Sequence, residues 1–512
     1  MQSCWFGGFR ACEGQFRQLP ASERKLVPGF RQDDGKKSKI GPSYALPTGR
    51  LAGILFGMER PRHLRSTDTE VVIAGGGMAG LYVAYRLQQA SVPFLLFEAE
   101  THAGGRVFSR PERHSQLGLV LDEGANLINS TDTLAIKLMN QFGITYVRRL
   151  KPGQDSMLYV VNGELLRQDR LDALLFKDSR EAINTIVHDQ EAWHREADRD
   201  FDPQFINESI ATYLARIGAG LVLRTMLKSF FWSEYGHEIE NLNLHVLFDY
   251  LDIDLTSPCF KLIPNADEAY TLPDGTGQIA EALAKPCHDS IHYGRRVTSI
   301  IEHGGVITVA TVVGGQNTEK RTARQVFFAA PLHSLNSIDV AIEGLAPQAV
   351  EMARAATYAR GTKLHLKFEP GFERLYRHSG ILLTDTGEQI WDSSTGQGGA
   401  GLLTVLTGPM PPGRAATVEQ VGRLLRLLDR ICPGLSDLHV GTERNDAPMS
   451  YSGSLKPGEV ADLAIHDGGT HWITVGEASS EELQGYLEGA LRSADAGVSG
   501  YIARRRARKR MS

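Results

Sequence analysis

Cysteine is scarce and never paired in this sequence: Cys4, Cys12, Cys259, Cys287 and Cys432 stand at no ligand spacing. That argues against a disulfide framework and against a zinc site, and it fits a reducing compartment, so no metal and a cytoplasmic location are expected. No apolar run approaches the ~18 residues that begin to suggest a membrane span, so no transmembrane segment is expected. The opening "MQSCWFGGFRACEGQF" lacks the basic, apolar and cleavable regions of a secretory signal. Charge of one sign is also lacking: a net charge of -5 over 512 residues gives no global reason to bind nucleic acid. H-E-x-x-H, G-x-S-x-G and P-loop patterns are absent, which removes the commonest zinc-hydrolase, serine-hydrolase and nucleotide-hydrolase readings.

What is present is globular. Hydrophobic residues make up 42% and charged residues 22%, enough for two or three packed cores. Two basic stretches, one before Ser66 and one at Arg504-Arg505-Arg506-Ala507-Arg508-Lys509-Arg510, read as solvated tails.

The stretch "VVIAGGGMAGLYVAYRLQQASVPFLLFEAE" reads as strand, tight turn, helix and second strand, with Leu81, Ala84 and Leu87 at helical spacing. Gly75, Gly77 and Gly80 fall on G-x-G-x-x-G. The first permits the turn, the second lets backbone approach a pyrophosphate, and the third lets helix and strand pack closely. Free N–H groups at the helix N-terminus favour the phosphates. Glu98, at the end of the second strand, is placed to accept both hydroxyls of an adenosine ribose. In "HAGGRVFSR", Gly104 and Gly105 precede Arg106, whose guanidinium can reach the pyrophosphate. These residues predict a bound dinucleotide and do not choose between NAD and FAD.

From here the order of segments resembles the flavin-containing amine oxidase family, over roughly residues 68 to 500. "EAETHAGGRVFS" resembles its ribose-to-pyrophosphate segment, and "LDEGANLIN" the turn that passes the flavin. "LPDGTGQIAEALA", "GRRVTSIIEHGG", "VFFAAPLHSL" and "ITVGEASSEELQGYLEGALRSADAG" follow in the family's order. The resemblance implies FAD, held without a covalent bond because the attachment position carries Ser450 rather than cysteine. Besides Gly75, Gly77, Gly80, Glu98 and Arg106, it implies cofactor contacts at Ala99, Gly105, Gly124, Ala125, Val297, Gly476, Glu477 and Leu487. A helix opening near Leu487 would direct its N-terminus at the isoalloxazine and favour negative charge on the reduced ring.

The implied fold class is α/β: an FAD-binding Rossmann-like domain interleaved with a mixed α+β substrate domain. Residues 1–67 would form a disordered extension. The FAD domain would take 68–145, 268–340 and 443–498, the substrate domain 146–267 and 341–442, and 499–512 would be a basic tail. "ESIATYLARIGAGLVLRTMLKSFFWSEYGHEI" carries an amphipathic helical pattern, read as core packing, with a pocket at Phe230, Phe231, Trp232 and Tyr235 as the alternative. "SGILLTDTGEQIWD" and "GAGLLTVLTGP" read as antiparallel strands flooring the substrate site.

The implied activity is oxidative deamination. A hydride moves from the carbon beside nitrogen to flavin N5, leaving an imine, and dioxygen regenerates the flavin with release of hydrogen peroxide. Such chemistry needs a dry slot for a neutral amine more than it needs acids and bases. Lys363, in "RGTKLHLKFEPGF", matches the family's lysine that reaches N5 through a water. It would share one strand face with His365 and Lys367, whose alternative reading is a solvated polar face. Tyr451 and Tyr486 match the two aromatic positions that flank the amine. Leu127 stands where amino-acid oxidases of the family carry an arginine for substrate carboxylate, which tilts the substrate toward a simple amine. An L-amino-acid oxidase using Arg360 or Arg374, and a catalytically silent flavin-fold binding protein, are the alternatives. Expected partners are a small-molecule amine and dioxygen, with no nucleic acid; the sequence is compatible with a homodimer.

Overall fold

The computed structural model describes residues 67–511 except 114–115, 151–156, 197–206, 256–258, 263–266, 316, 454–470 and 481–482. Expectations about the N-terminal extension before Thr67 lie outside the described residues.

Val71–Ala74 is buried along its whole length, as a strand covered on both faces requires. It sits in the middle of a five-stranded sheet ordered Ile291–His292, Phe94–Phe97, Val71–Ala74, Gln325–Phe328, Trp472–Thr474. Every pairing is parallel: Val71 lies opposite both Phe94 and Gln325, and Val326 opposite Trp472. The front, the middle and the end of the chain therefore meet in one sheet. Helix Met78–Gln89 follows the glycine turn and buries Leu81, Ala84 and Leu87 completely, the face its spacing predicts. Each leucine contributes about 2 kcal/mol by leaving water. A closing helix, Leu487–Met511, lies beside it. Tyr82 donates to Asp495 Oδ1 at 2.9 Å, Arg86 pairs with Asp495, and Arg86 also donates to Ser499 at 3.2 Å.

The other sheet face, through Val72, Ala74 and Phe328, shares a core with Ile300, Ile307 and Val309. Those residues come from a four-stranded sheet of Asn317–Ala323, Val306–Val313, Arg295–His303 and Asp339–Ala341. A seven-stranded sheet forms the second large layer, ordered His439–Gly453, Thr357–Phe368, Gly401–Thr407, Glu388–Asp392, Ile381–Thr384, Met157–Val161, Glu164–Leu166. Its middle pairs are antiparallel, as the alternating pattern predicts. Helices Gln168–Asp178, Ile210–Arg216 and Leu221–Tyr235 join one core with it. Phe230, Phe231 and Tyr235 are buried in that core, and the Trp232 ring lies against Gly387 and Gly408. This cluster is packing; none of the four lines the cavity described below.

The basic end of the chain is solvated as expected, with Arg504, Arg506, Arg508, Lys509 and Arg510 exposed, but it is helical. The closing helix runs on to Met511, and its own Tyr501 and Ile502 are buried against the core. Tyr501 donates to Glu70 Oε1 at 2.7 Å and Arg505 Nη2 to Glu70 Oε2 at 2.8 Å. One carboxylate at the foot of the first strand thus anchors the stretch, and cations at a helix C-terminus suit its dipole. No helix among the described residues is long and apolar enough to cross a membrane, and none of their side chains group as a metal site.

The first residues of the closing helix also cap another helix. Glu488, fully buried, accepts from the backbone N–H groups of Leu134 (3.0 Å) and Ala135 (2.9 Å), the open N-terminus of Thr133–Phe142. Asp132, just before that helix, is 1% exposed and accepts from Asn129 N at 2.9 Å. Burial pushes its carboxyl up to about 7, against the Asn129 hydrogen bond and with help from the Glu488 charge. A carboxyl raised in the fold stabilises at acid pH, and its contribution is lost as pH rises from about 4 through 7. Asp132→Asn should therefore flatten the decline in thermal midpoint between pH 5 and 8, a difference on the order of 2 kcal/mol. Parallel stability curves for parent and variant would show that Asp132 ionises normally.

Candidate active site

Parallel strands carry ligands at their carboxyl ends, and here the turn after Val71–Ala74 opens into a cavity of about 370 Å³. Gly75 makes that turn with φ +109°, and a Cβ there would sit 2.8 Å from Ala330 N. Gly80 is demanded by packing: its Cβ would meet the Gly75 carbonyl oxygen at 2.0 Å. Gly77 is different. Its φ is an ordinary -72°, and the nearest atom to an added Cβ is Gly104 O at 4.0 Å, so the space it leaves free is the cavity's own.

Twelve of the residues singled out in the sequence line this one cavity: Gly75, Gly77, Glu98, Ala99, Gly105, Arg106, Ala125, Val297, Gly476, Glu477, Tyr486 and Leu487. Gly80, Gly124 and Lys363 do not line it. Gly124 is fixed by its neighbour, since a Cβ there would lie 1.8 Å from Arg106 O. Tyr451 pairs with Tyr358 across the sheet, but its side chain lies outside the described residues.

Glu98 accepts from Gly76 N at 2.6 Å and from Glu100 N at 2.8 Å, one bond to each oxygen. Each oxygen keeps a lone pair for a hydroxyl donor. Arg106 Nη1 lies 2.6 Å from Glu477 Oε1, and its guanidinium carbon 5.3 Å from the centre of the Tyr358 ring. Burial works against the Arg106 charge, but Glu477 and Tyr358 more than offset it and hold the guanidinium protonated. The Tyr358 hydroxyl in turn accepts from Leu332 N at 2.8 Å, and His333 packs edge-on against the ring. Tyr358 and His333 line the cavity and escaped the sequence reading. His333 lies within the matched "VFFAAPLHSL" and Tyr358 two residues before "RGTKLHLKFEPGF", which are their only signals. Leu487 opens the closing helix, so the N-terminus of that helix faces the same cavity.

Lys363 stands behind the turn that contributes Ala125. Its side chain is buried, and Nζ donates to Asp122 O at 3.1 Å and to Gly124 O. The Trp391 ring centre is 5.8 Å away. Burial pulls the ammonium down to about 8, opposed by the charges of Asp122 and Glu123. The face it shares with His365 and Lys367 is buried too, at 6%, 1% and 2% exposure, because neighbouring strands and the segment around residues 110–124 close over it. Lys367 is consumed by Arg113 O (2.7 Å), Glu443 (3.0 Å) and Glu112 (3.5 Å).

A hydrogen-bonded chain links this face to the turn. Asn126 donates to Asp122 and accepts from Trp391 Nε1, both short bonds, and from Ser393 at 3.3 Å. Ser393 and Thr404 lie 2.7 Å apart, and Thr404 lies 3.3 Å from His365 Nδ1. Asp122 also accepts from Thr276 N and Oγ1 at 2.9 Å. Burial still raises its carboxyl above the ordinary range.

The arrangement fits FAD on the chain's own geometry: a glycine cradle that only an unbranched backbone leaves open, a ribose acceptor, a half-buried arginine and a helix N-terminus, all on one cavity. The profile of the family described as flavin containing amine oxidoreductase matches residues 78–496. A Mycobacterium tuberculosis protein, provisionally named a flavin-containing monoamine oxidase, is 23% identical over 83% of this chain and 94% of its own length. Among solved structures, cyclohexylamine oxidase from Brevibacterium oxydans superposes with a TM-score of 0.68 at 21% identity, covering 85% of this chain and 99% of that one. Putrescine oxidase bound to putrescine superposes at 0.62 and 16% identity, with the same coverage. These likenesses and the cavity lead to one conclusion: the chain belongs to the flavin-containing amine oxidoreductase family, a flavin-dependent amine oxidase whose cofactor is FAD.

Proposed function

We propose that the protein oxidatively deaminates a simple amine that bears no carboxylate, with dioxygen as electron acceptor. One observation carries the reading: the front glycine turn and the closing Gly476, Glu477, Gly485, Tyr486 and Leu487 line a single cavity, with Lys363 buried immediately behind it. Bound FAD would accept the hydride equivalent lost from the carbon beside nitrogen and pass the electrons to dioxygen as hydrogen peroxide.

The chain's own residues do the rest. Gly77 admits the pyrophosphate, Arg106 neutralises it, and Glu98 takes the ribose hydroxyls. Tyr486, 7% exposed at the mouth of the closing helix, excludes water from the amine's approach, and Tyr451 is assigned the matching role. Lys363 holds a proton on Nζ beside the turn at Gly124. Serine at position 450 leaves no thiol for covalent attachment. Fully buried Leu127 offers no clamp for a carboxylate, while Arg360 is exposed and Arg374 is 84% exposed, neither of them on the cavity. These positions favour an amine over an amino acid. The domain boundaries given above, a reducing cytoplasmic setting and a homodimer complete the proposal.

Purified protein offered aliphatic, aromatic and polyamines, and amino acids in parallel, should release peroxide with the amines. Peroxide from amino acids alone would transfer the assignment to an L-amino-acid oxidase. A colourless protein that takes up no FAD would sink both.

A further inference from the structure

His365 carries an imidazole that is 1% exposed, and its Nε2 has no hydrogen-bond partner. The side chain lies on the same strand face as Lys363 and Lys367. An orphaned buried nitrogen is uncommon enough to need a reason.

The hydrogens of the network decide which ring nitrogen bears the proton. Trp391 Nε1 can only donate, so the Asn126 atom facing it is the oxygen, which accepts from Ser393 as well. Ser393 has one hydroxyl hydrogen, and it is used on Asn126. The 2.7 Å contact between Ser393 and Thr404 must then use the Thr404 hydrogen. Thr404 has only lone pairs left for His365, so the imidazole donates from Nδ1. Nε2 is therefore a bare lone pair aimed into the buried face.

Charged groups approach this ring from every neighbouring element. Lys363 and Lys367 flank it on its own strand, Arg110 comes from Ser109–Pro111, and Glu443 is its register partner on His439–Gly453. Asp122 and Glu123 stand behind Lys363. Burial first, then the three cations, hold the imidazole well below the ordinary histidine range, so the lone pair persists at neutral pH. Of the two lysines, Lys367 spends its N–H groups on Arg113, Glu443 and Glu112, whereas Lys363 spends two on Asp122 O and Gly124 O. One face thus holds an acceptor and a donor with a hydrogen to spare, two residues apart on a strand and so about 6.6 Å between Cα atoms. Both side chains leave the strand on the same side, so a water lodged between their polar ends would satisfy the lone pair and the spare hydrogen together.

We propose that His365 is a positioning residue for Lys363: locked as the Nδ1–H tautomer by Thr404, Ser393 and Asn126, it accepts through one water from the Lys363 ammonium and fixes where that ammonium points. The importance of this for turnover rests on the oxidase reading, but the tautomer and the lysine's titration belong to the ligand-free protein and are measured there.

In protein labelled with 15N-histidine, two-bond couplings between ring nitrogens and ring protons distinguish the tautomers, and His365→Gln assigns the signal. The Nδ1–H form is expected and stays unprotonated from pH 6 to 9, and Thr404→Val shifts it toward Nε2–H. Labelling lysine at Cε, with Lys363→Met for assignment, then reads the Lys363 midpoint. His365→Phe, which has no acceptor, should lower that midpoint by about one pH unit. His365→Gln, whose amide oxygen replaces the lone pair, should hold it within a few tenths of the parent. A parent ring in the Nε2–H or doubly protonated form overturns the proposal, as does a lysine midpoint that moves equally in both variants. Absence of amine turnover would count against the oxidase reading and leave these two measurements standing.

Discussion

Lys363→Met should leave a protein that binds FAD and has lost most of its peroxide-forming turnover, on the order of 10²-fold or more. Lys363 lines no part of the cavity, so the cofactor's contacts survive the change. Methionine nearly matches the lysine stem and adds no buried charge, which leaves the fold intact. What disappears is the only ammonium held at the Gly124 carbonyl among the described residues, and with it a proton beside the ring's expected place. The parent should lose turnover as pH rises through about 8, where the buried ammonium deprotonates, and the variant should lack that limb. Stability moves the other way. Lysine is held below its ordinary 10.5, so the parent gains stability as pH climbs from about 8 toward 10.5, and below 8 it bears the full cost of the buried charge. The methionine variant should accordingly unfold at higher temperature than the parent near neutral pH. Anaerobic reduction followed by mixing with oxygen isolates the step; reoxidation at the parent's rate would strip Lys363 of its role.

The second large effect separates two glycines of one motif. Gly77→Val should abolish flavin binding with little change in the stability of the ligand-free protein, because nothing but the cavity lies within 4 Å of its Cβ except Gly104 O at that limit. Its backbone is already in a conformation open to any residue. Gly80→Ala adds only a methyl group, yet drives it to 2.0 Å from the Gly75 carbonyl and 3.2 Å from Ala329 Cβ. Helix and strand must separate, at a cost on the order of 3 kcal/mol. Flavin absorbance after reconstitution and the thermal midpoint of the flavin-free protein make the comparison. Equal destabilisation by both substitutions would mean that Gly77 is structural and the cavity lies elsewhere.

The contrast explains which parts of the site can be read from the sequence. The glycine turn, Glu98 and Arg106 are legible because backbone geometry within a few residues forces their spacing. Lys363 is legible as one member of a polar strand face, although its burial is not, since that depends on strands paired from residues 401–407 and 439–453. Asn126, Trp391, Ser393 and Thr404 are drawn together from separate strands and a turn, and no local period announces them. The one local signal is a polar residue in an apolar strand: Thr404 interrupts "GLLTVLT", in which every other interior position is hydrophobic. At the end of the chain the solvation of the basic residues is legible and the helix is not. Its composition is that of a solvated tail, and only distant Glu70 shows why it stays wound.

The sheet that threads the front, the middle and the last part of the polypeptide together has a consequence during synthesis. Until Trp472–Thr474 leaves the ribosome, the edge of Gln325–Phe328 has no partner strand, and the binding cleft lacks its last wall. A nascent chain must therefore carry an apolar, ladder-ready border while residues 329–471 are made, and cofactor capture becomes a late event that locks distant segments of the molecule in place.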